Sequence, residues 1–235
     1  MPFSISFEPT TACNLRCPEC PSGLRSFTRP TGNLKQDLFT RVIDELAPDL
    51  WALTFYFQGE PYINPGFLDM VRIASDRGLY TATSTNAHFL TEEKAEATVR
   101  SGLSRLIISL DGTDQETYSA YRKEGELAKV IEGAERIVKW KKKLKSATPQ
   151  VVFQFLVVKP NEYQIPEARA LAKRVGVDDL WLKTAQIYEP KDDHPLIPTQ
   201  DKYARYKRNE SGVWEVKNKL EDSCWKMWHS CVITW

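Results

Sequence analysis

The chain has 235 residues, 42% hydrophobic and 27% charged, with Lys+Arg 32 against Asp+Glu 31. This ordinary globular mixture excludes wholesale disorder, and a formal charge of +1 gives no reason to expect nucleic acid or an anionic membrane as a partner. No apolar run approaches the roughly 18 residues of a membrane span, and the opening stretch is too short and too mixed for a signal peptide, so a cytoplasmic protein of one domain, or one domain with an appendage, is expected.

In chain order, Phe3 to Glu8 alternates apolar and polar residues and predicts a strand. A cysteine-bearing loop follows. Leu34 to Leu46 has helical spacing and stops at Pro48, and Trp51 to Phe57 is an apolar run of strand length. Gly66 to Arg77 reads as a helix with Asn64 as cap, Pro65 in the first turn and Gly78 as stop. Leu79 to Thr83 is a short strand. Thr91 to Arg100 is a helix closed by Gly102, and Ser104 to Leu110 is a buried strand. Leu127 to Lys145 is a longer helix whose basic end suits the negative end of its dipole. The β-branched run Val151 to Val158, the helix Ile165 to Val175 stopped by Gly176, and the strand Leu180 to Lys183 complete the pattern.

Alternating strands and helices imply an α/β fold with a parallel sheet covered by helices. Six strand–helix steps suit either an incomplete barrel or a doubly wound sheet. The expected division is a core over residues 1–187, a Pro-marked linker and charged stretch over 188–223, and a short Trp- and Cys-rich extension over 224–235.

The five cysteines cannot all pair, and Cys13, Cys17 and Cys20 crowd into one short loop. In a reducing compartment such clustering points to metal or redox chemistry rather than to disulfides. The loop follows the first strand, where α/β sheets place their ligand sites. Thiolates suit iron–sulfur clusters or zinc. A structural zinc site wants four ligands, usually from two paired Cys motifs, and this loop offers three at unequal spacing. A four-iron cluster on three cysteines leaves one iron open to the amine and carboxylate of a small molecule. A non-catalytic zinc- or cluster-binding module is the rival from a different class.

The run Cys13-Asn-Leu-Arg-Cys17-Pro-Glu-Cys20 in the first βα loop resembles the signature of the radical S-adenosylmethionine superfamily. With Pro21-Ser-Gly behind it, it is similar to the SPASM/twitch group. The resemblance covers roughly residues 5–190 and returns in the last twelve. It implies an incomplete (β/α)6 TIM-like barrel. It also implies a [4Fe-4S] cluster on Cys13, Cys17 and Cys20, and S-adenosylmethionine bound at the open iron. One electron would then cleave the cofactor to a 5′-deoxyadenosyl radical, which takes a hydrogen atom from substrate. A peptide or protein side chain is the expected substrate, with a small molecule of cofactor or nucleoside biosynthesis as runner-up, and flavodoxin or ferredoxin as electron donor. One departure is Glu19, at a position that is often aromatic and lies along the adenine.

The same resemblance assigns further residues. Phe57-Gln58-Gly59-Glu60-Pro61 is similar to the family's Gly-Glu motif, in which Glu60 accepts the cofactor's amine and Gly59 allows close approach. Ser109 is expected at the ribose, with Thr85, Asn86 and Asp111 facing cofactor or substrate, and Arg122 at the cofactor's carboxylate. The bland reading makes Gly59, Asn86 and Asp111-Gly112 ordinary turn residues and Arg122 a surface arginine. Lys159, Asn161, Glu162 and Lys183 point toward the same mouth as substrate contacts. His88 and His194 read as ordinary loop histidines. In the tail, Cys224 resembles a ligand of an auxiliary iron–sulfur cluster in a longer chain, because the pattern stops where the family's extension would continue. Cys231 matches no motif position, and His229 allows a zinc reading.

Overall fold

A computed structural model describes residues 2–218, 224 and 229–235. Its centre is a seven-stranded, all-parallel sheet in the order β6-β5-β4-β3-β2-β1-β9. The strands are β1 (Ser4–Phe7), β2 (Ala52–Thr54), β3 (Tyr80–Thr85), β4 (Arg105–Ser109), β5 (Gln150–Val157), β6 (Asp179–Thr184) and β9 (Ser230–Ile233). Crossover helices connect the first six: α2 (Gln36–Leu46), α3 (Phe67–Asp76), α4 (Glu92–Arg100), α5 (Gln115–Tyr121), α6 (Leu127–Lys143) and α7 (Ile165–Val175). A short helix α1 (Pro21–Leu24) closes the cysteine loop, and β7 (Tyr206–Arg208) pairs antiparallel with β8 (Trp214–Val216). The sheet has two edges, β6 and β9, and is therefore an open, incomplete barrel.

The strand period decides which face does what. In β1, Ile5 and Phe7 are buried while Ser4 and Ser6 are half-exposed. The apolar face packs on the helices and forms the main core. Its thickest part is an aromatic cluster under β1 and β2, with Phe7–Phe39, Phe39–Phe55 and Phe55–Phe67 ring centroids 4.8, 5.5 and 5.8 Å apart. The other face is lined by Ser6 and Thr54, whose hydroxyls bond at 2.6 Å, and by Ser84, Ser109 and Gln154.

Helix boundaries follow local chemistry. Thr91 caps α4 through the Lys94 amide, and Gly176 ends α7 in the left-handed region. Asn64 is more than a cap. Its Oδ1 accepts from the Gly66 amide while its Nδ2 donates to the Pro9 and Leu34 carbonyls, tying the α3 entry to the base of the cysteine loop. The sheet also extends past the expected core boundary at residue 187, because Ser230–Ile233 pairs with β1. Residues 188–218 are not a bare linker, since they contain the β7–β8 hairpin.

The Phe7–Phe39–Phe55–Phe67 cluster carries both strands that present the loops described next. Replacing the fully buried Phe55 with Ala is expected to lower the unfolding free energy by about 3–5 kcal/mol in denaturant titration. Phe57→Ala, two residues on and 53% exposed, should cost no more than about 0.5 kcal/mol.

Candidate cluster and cofactor site

The cysteine loop leaves the end of β1 and is pinned from several sides. Thr10 Oγ1 donates to the Gly32 carbonyl at 2.7 Å and accepts from the Ala12 amide at 3.1 Å. The fully buried Glu8 carboxylate pairs with Arg29 at 2.7 Å, closing the loop at its base. Leu15 and Cys17 are buried with Tyr121, Val158, Ile187 and Leu196. A Cβ on Gly23 would stand 2.3 Å from the Cys17 carbonyl oxygen, so α1 packs on the loop's own backbone there. Cys20 is the N-cap of α1.

A second loop, after β2, docks onto the first. Gly59 adopts φ +75°, and a Cβ there would lie 2.1 Å from the Thr10 carbonyl oxygen and 2.9 Å from that of Ala12. The Glu60 amide donates to Ala12 O at 2.8 Å. Ser22 Oγ accepts from the Gly59 amide at 2.8 Å and donates to Gln58 Oε1 at 3.1 Å.

These loops and the ends of β3 to β6 enclose a cavity of about 270 Å³. Cys13, Cys17 and Cys20 border it, as do Gly59, Glu60, Thr85, Asn86, Ser109 and Arg122. All three thiols are free. Burial pushes the Cys13 thiol up to about 11 and raises that of Cys17 as well, against the opposing pull of the Arg122 guanidinium at Cys17. Among the described residues no three His, Cys, Asp or Glu side chains gather as ligands of one metal ion. Three free thiols bordering one cavity match the thiolate chemistry of an iron–sulfur cluster, whereas a structural zinc ion wants four ligands.

Glu60 is 2% exposed. Its Oε1 accepts from the Thr85 hydroxyl at 2.7 Å and the Tyr62 amide at 3.3 Å, and its Oε2 accepts from the Asn86 amide at 2.7 Å. Burial raises its pKa, and these donors oppose the rise by favouring the carboxylate. Thr85 thus spends its hydroxyl inside the protein, donating to Glu60 and accepting from the Ala87 amide. Asn86 turns its Nδ2 to Asn14 Oδ1 at 2.8 Å.

The structure separates Asp111 from the cavity-lining group. Asp111 is fully buried, with Oδ1 accepting from the Leu156 amide at 2.7 Å and Oδ2 paired with Arg122 Nε. Facing cofactor or substrate is therefore not its arrangement here; it orients the arginine. Arg122 Nη1 lies 3.7 Å from Cys17 Sγ. Asn161 and Glu162 also turn to the protein. Asn161 Nδ2 donates to the Asp111 and Leu156 carbonyls, and Glu162 accepts from Thr199 and the Gln200 amide. Lys183 lines the cavity, whereas Lys159 borders a separate depression. Glu19 points away from the cavity, with its Oε2 accepting from the Tyr188 amide at 2.9 Å.

In the tail, Cys224 is half-buried and Cys231 exposed. Residues 219–223 and 225–228, which carry the rest of the Trp-rich motif, lie outside the described residues. The His229 ring packs on Phe3 at 5.1 Å. Ser22 and Gly23 belong to the Pro21-Ser-Gly run and Gln58 to the Gly-Glu turn, but the sequence assigns none of them a role of its own, and Gln154 carries no sequence signal. His88 proves to be structural. Its Nδ1 pairs with the Asn86 carbonyl at 2.9 Å and its Nε2 accepts from the Glu126 amide at 2.8 Å, satisfying a free N–H at the start of α6.

Residues 7–162 match the Radical SAM superfamily. The chain belongs to that superfamily. It is similar to the tungsten-containing aldehyde ferredoxin oxidoreductase cofactor-modifying protein of Pyrococcus furiosus, 28% identical over 82% of this chain and 54% of that protein. It is also similar to PqqA peptide cyclase of Gluconobacter oxydans, 29% identical over 85% of this chain and 54% of that protein. The chain thus spans about half the length of the curated relatives it matches. In fold it resembles SuiB of Streptococcus suis, solved bound to S-adenosylmethionine. The TM-score is 0.68 at 15% identity, covering 86% of this chain and 44% of that one. Membership implies a [4Fe-4S] cluster and S-adenosylmethionine as cofactors. No described helix is long and apolar enough to cross a membrane.

Two outcomes test this geometry. Gly59→Ala is expected to displace the docked turn and reduce bound iron after anaerobic reconstitution at least several-fold, with far-UV circular dichroism retained. His88 sets a pH dependence. Burial, the largest cause, lowers its pKa below the usual 6.5, so the unfolded chain holds the proton more tightly. Its contribution is complete above about pH 6.5 and is lost as pH falls from there through the lower folded value. Between pH 7.5 and 5.5, wild-type Tm should therefore fall more than that of His88→Gln.

Proposed function

We propose that this chain is the catalytic core of a radical S-adenosylmethionine enzyme that modifies a peptide or protein side chain in the cytoplasm. The observation that carries the reading is the shared cavity, where three free thiols from one loop face a buried carboxylate from the next. Cys13, Cys17 and Cys20 would hold the [4Fe-4S] cluster. When bound, cluster and cofactor supply one-electron cleavage of the carbon–sulfur bond and hydrogen-atom abstraction from substrate.

The protein's part is binding, orientation and exclusion. Glu60 offers a carboxylate, fixed by Thr85, Tyr62 and Asn86, to the cofactor's ammonium. Ser109, 5% exposed at the end of β4, serves the ribose. Arg122, held by Asp111, keeps Nη2 for the cofactor's carboxylate while Nη1 faces Cys17. Gly59 keeps the Glu60 turn against the cysteine loop. Flavodoxin or ferredoxin would deliver the electron. In a longer protein, Cys224 would ligate an auxiliary cluster of the SPASM type. Peptide substrates are favoured by the likeness to PqqA peptide cyclase. The cofactor-modifying relative from Pyrococcus furiosus favours the runner-up, a small molecule.

The expected result is a brown, reconstituted protein that forms 5′-deoxyadenosine under reduction and loses its iron in each of Cys13→Ser, Cys17→Ser and Cys20→Ser. Glu60→Ala should retain iron and weaken S-adenosylmethionine binding about tenfold or more in equilibrium dialysis. Unaltered cofactor affinity in Glu60→Ala would remove the assignment of this carboxylate. A colourless protein carrying one zinc would remove the enzyme reading.

A further inference from the structure

The inner face of the open sheet carries positive charge to which the proposed function assigns no role. Ser84, Ile107, Ser109, Gln154 and Lys183 line the cavity from β3 to β6. By the two-residue strand period, Arg105 on β4 and Trp181 on β6 share that face, further from the cysteine loop. Their contact bears this out, since the Arg105 guanidinium lies 5.0 Å from the Trp181 ring centroid and 5.6 Å from that of Tyr80. Arg105 Nε donates to Gln150 Oε1 at 2.9 Å, and its remaining donors meet no carboxylate among the described residues. The Lys183 ammonium and the Gln154 amide likewise have no hydrogen-bond or ion-pair partner there.

The acidic groups nearby are already engaged. Glu60 accepts three internal hydrogen bonds and Asp111 holds Arg122. Asp179, at the far end of β6, accepts from the Trp181 indole and the Leu180 amide, each at 2.7 Å. Lys183, exposed and without a partner among the described residues, and Arg105, half-buried with no carboxylate partner among them, are backed by the unbonded Gln154 amide and present a surface complementary to carboxylates.

Resting on the peptide-modifying reading, we infer that this inner face binds an acidic peptide segment. Lys183 takes a carboxylate beside the reaction cavity, and Arg105, stiffened by its two aromatic neighbours, takes a second further along the groove. Lys183 is the specificity-determining residue, and Gln154 completes its donor set.

The test uses the full chain, reconstituted anaerobically, and three fluorescein-labelled octapeptides that differ only in carrying Glu, Gln or Lys at alternate positions. Fluorescence anisotropy at low salt should give about tenfold tighter binding of the Glu peptide than of the Gln peptide, falling as salt is raised. Lys183→Glu and Arg105→Glu should each remove most of that preference, and Lys183→Arg should keep it. Lys142→Glu, the same charge change on the exposed basic end of α6, should leave it intact. Lys183→Gln, less disruptive than reversal, should weaken the Glu peptide several-fold with Tm unchanged.

Equal affinity for the three peptides would overturn the proposal. So would a preference that survives Lys183→Glu or is lost equally in Lys142→Glu. A Lys183→Gln variant that loses S-adenosylmethionine affinity in place of peptide affinity would assign the ammonium to the cofactor's carboxylate and overturn it too. Failure of the broader reading looks different. The wild-type chain would then assemble no iron–sulfur chromophore, while the peptide comparison on that same chain still reports the charge preference.

Discussion

The site depends on one close contact, the docking of the Gly59 turn on the backbone of Thr10 to Ala12. No side chain fits between them, because a Cβ at residue 59 would sit 2.1 Å from a carbonyl oxygen. Glycine also supplies the left-handed φ of +75° that the turn demands. The thiol loop after β1 and the carboxylate loop after β2 therefore move as one body. Ser22 fastens the joint from a third direction by accepting from the Gly59 amide. Each loop holds only one short helical turn, Pro21–Leu24 after Cys20 and Pro61–Ile63 after Glu60, so the contact between them supplies the rigidity that a binding constellation needs.

Around that joint, buried polar groups form a chain of support. Thr85 and the Asn86 amide hold Glu60 as an acceptor facing the cavity. Asp111, fully buried, orients Arg122 toward Cys17. Asn161 supports Asp111 in turn by donating to its carbonyl. Thr85 ends β3, Asn86 and Asp111 follow β3 and β4 closely, and Arg122 is brought to them as the C-cap of α5, all at the end of the sheet where its loops converge. The strands contribute asymmetrically. One face is apolar and locked under helices. The other is hydroxyl- and amide-rich and left open, which gives the molecule a wall that is both structural and available for recognition.

Much of this was legible in the sequence because the signals are local. The strand and helix periodicities located the first six strands, and Ile165 to Val175 with Gly176 was read to the residue. The cysteine spacing and the Gly-Glu turn identified the two loops that meet. Other features were not legible, for physical reasons. Helix α5 is short and polar, and its one signal, Asp114 capping the Thr117 amide, resembles any turn. Strand β9 joins the sheet by pairing with β1, a contact across the whole chain that no local pattern encodes. The direction of Asp111 depends on Arg122 and on the β5 backbone, so its inward turn follows from tertiary packing alone. His88 reads as a loop histidine and becomes a helix cap only once α6 is brought to it.

The most direct measurement is Mössbauer spectroscopy of the chain reconstituted with ⁵⁷Fe, recorded before and after adding S-adenosylmethionine. The account predicts a four-iron spectrum in which a single iron site changes on addition, since three protein thiols leave one iron to the cofactor. A cluster whose iron sites all stay unchanged, or a protein that takes up no cluster iron, would contradict it.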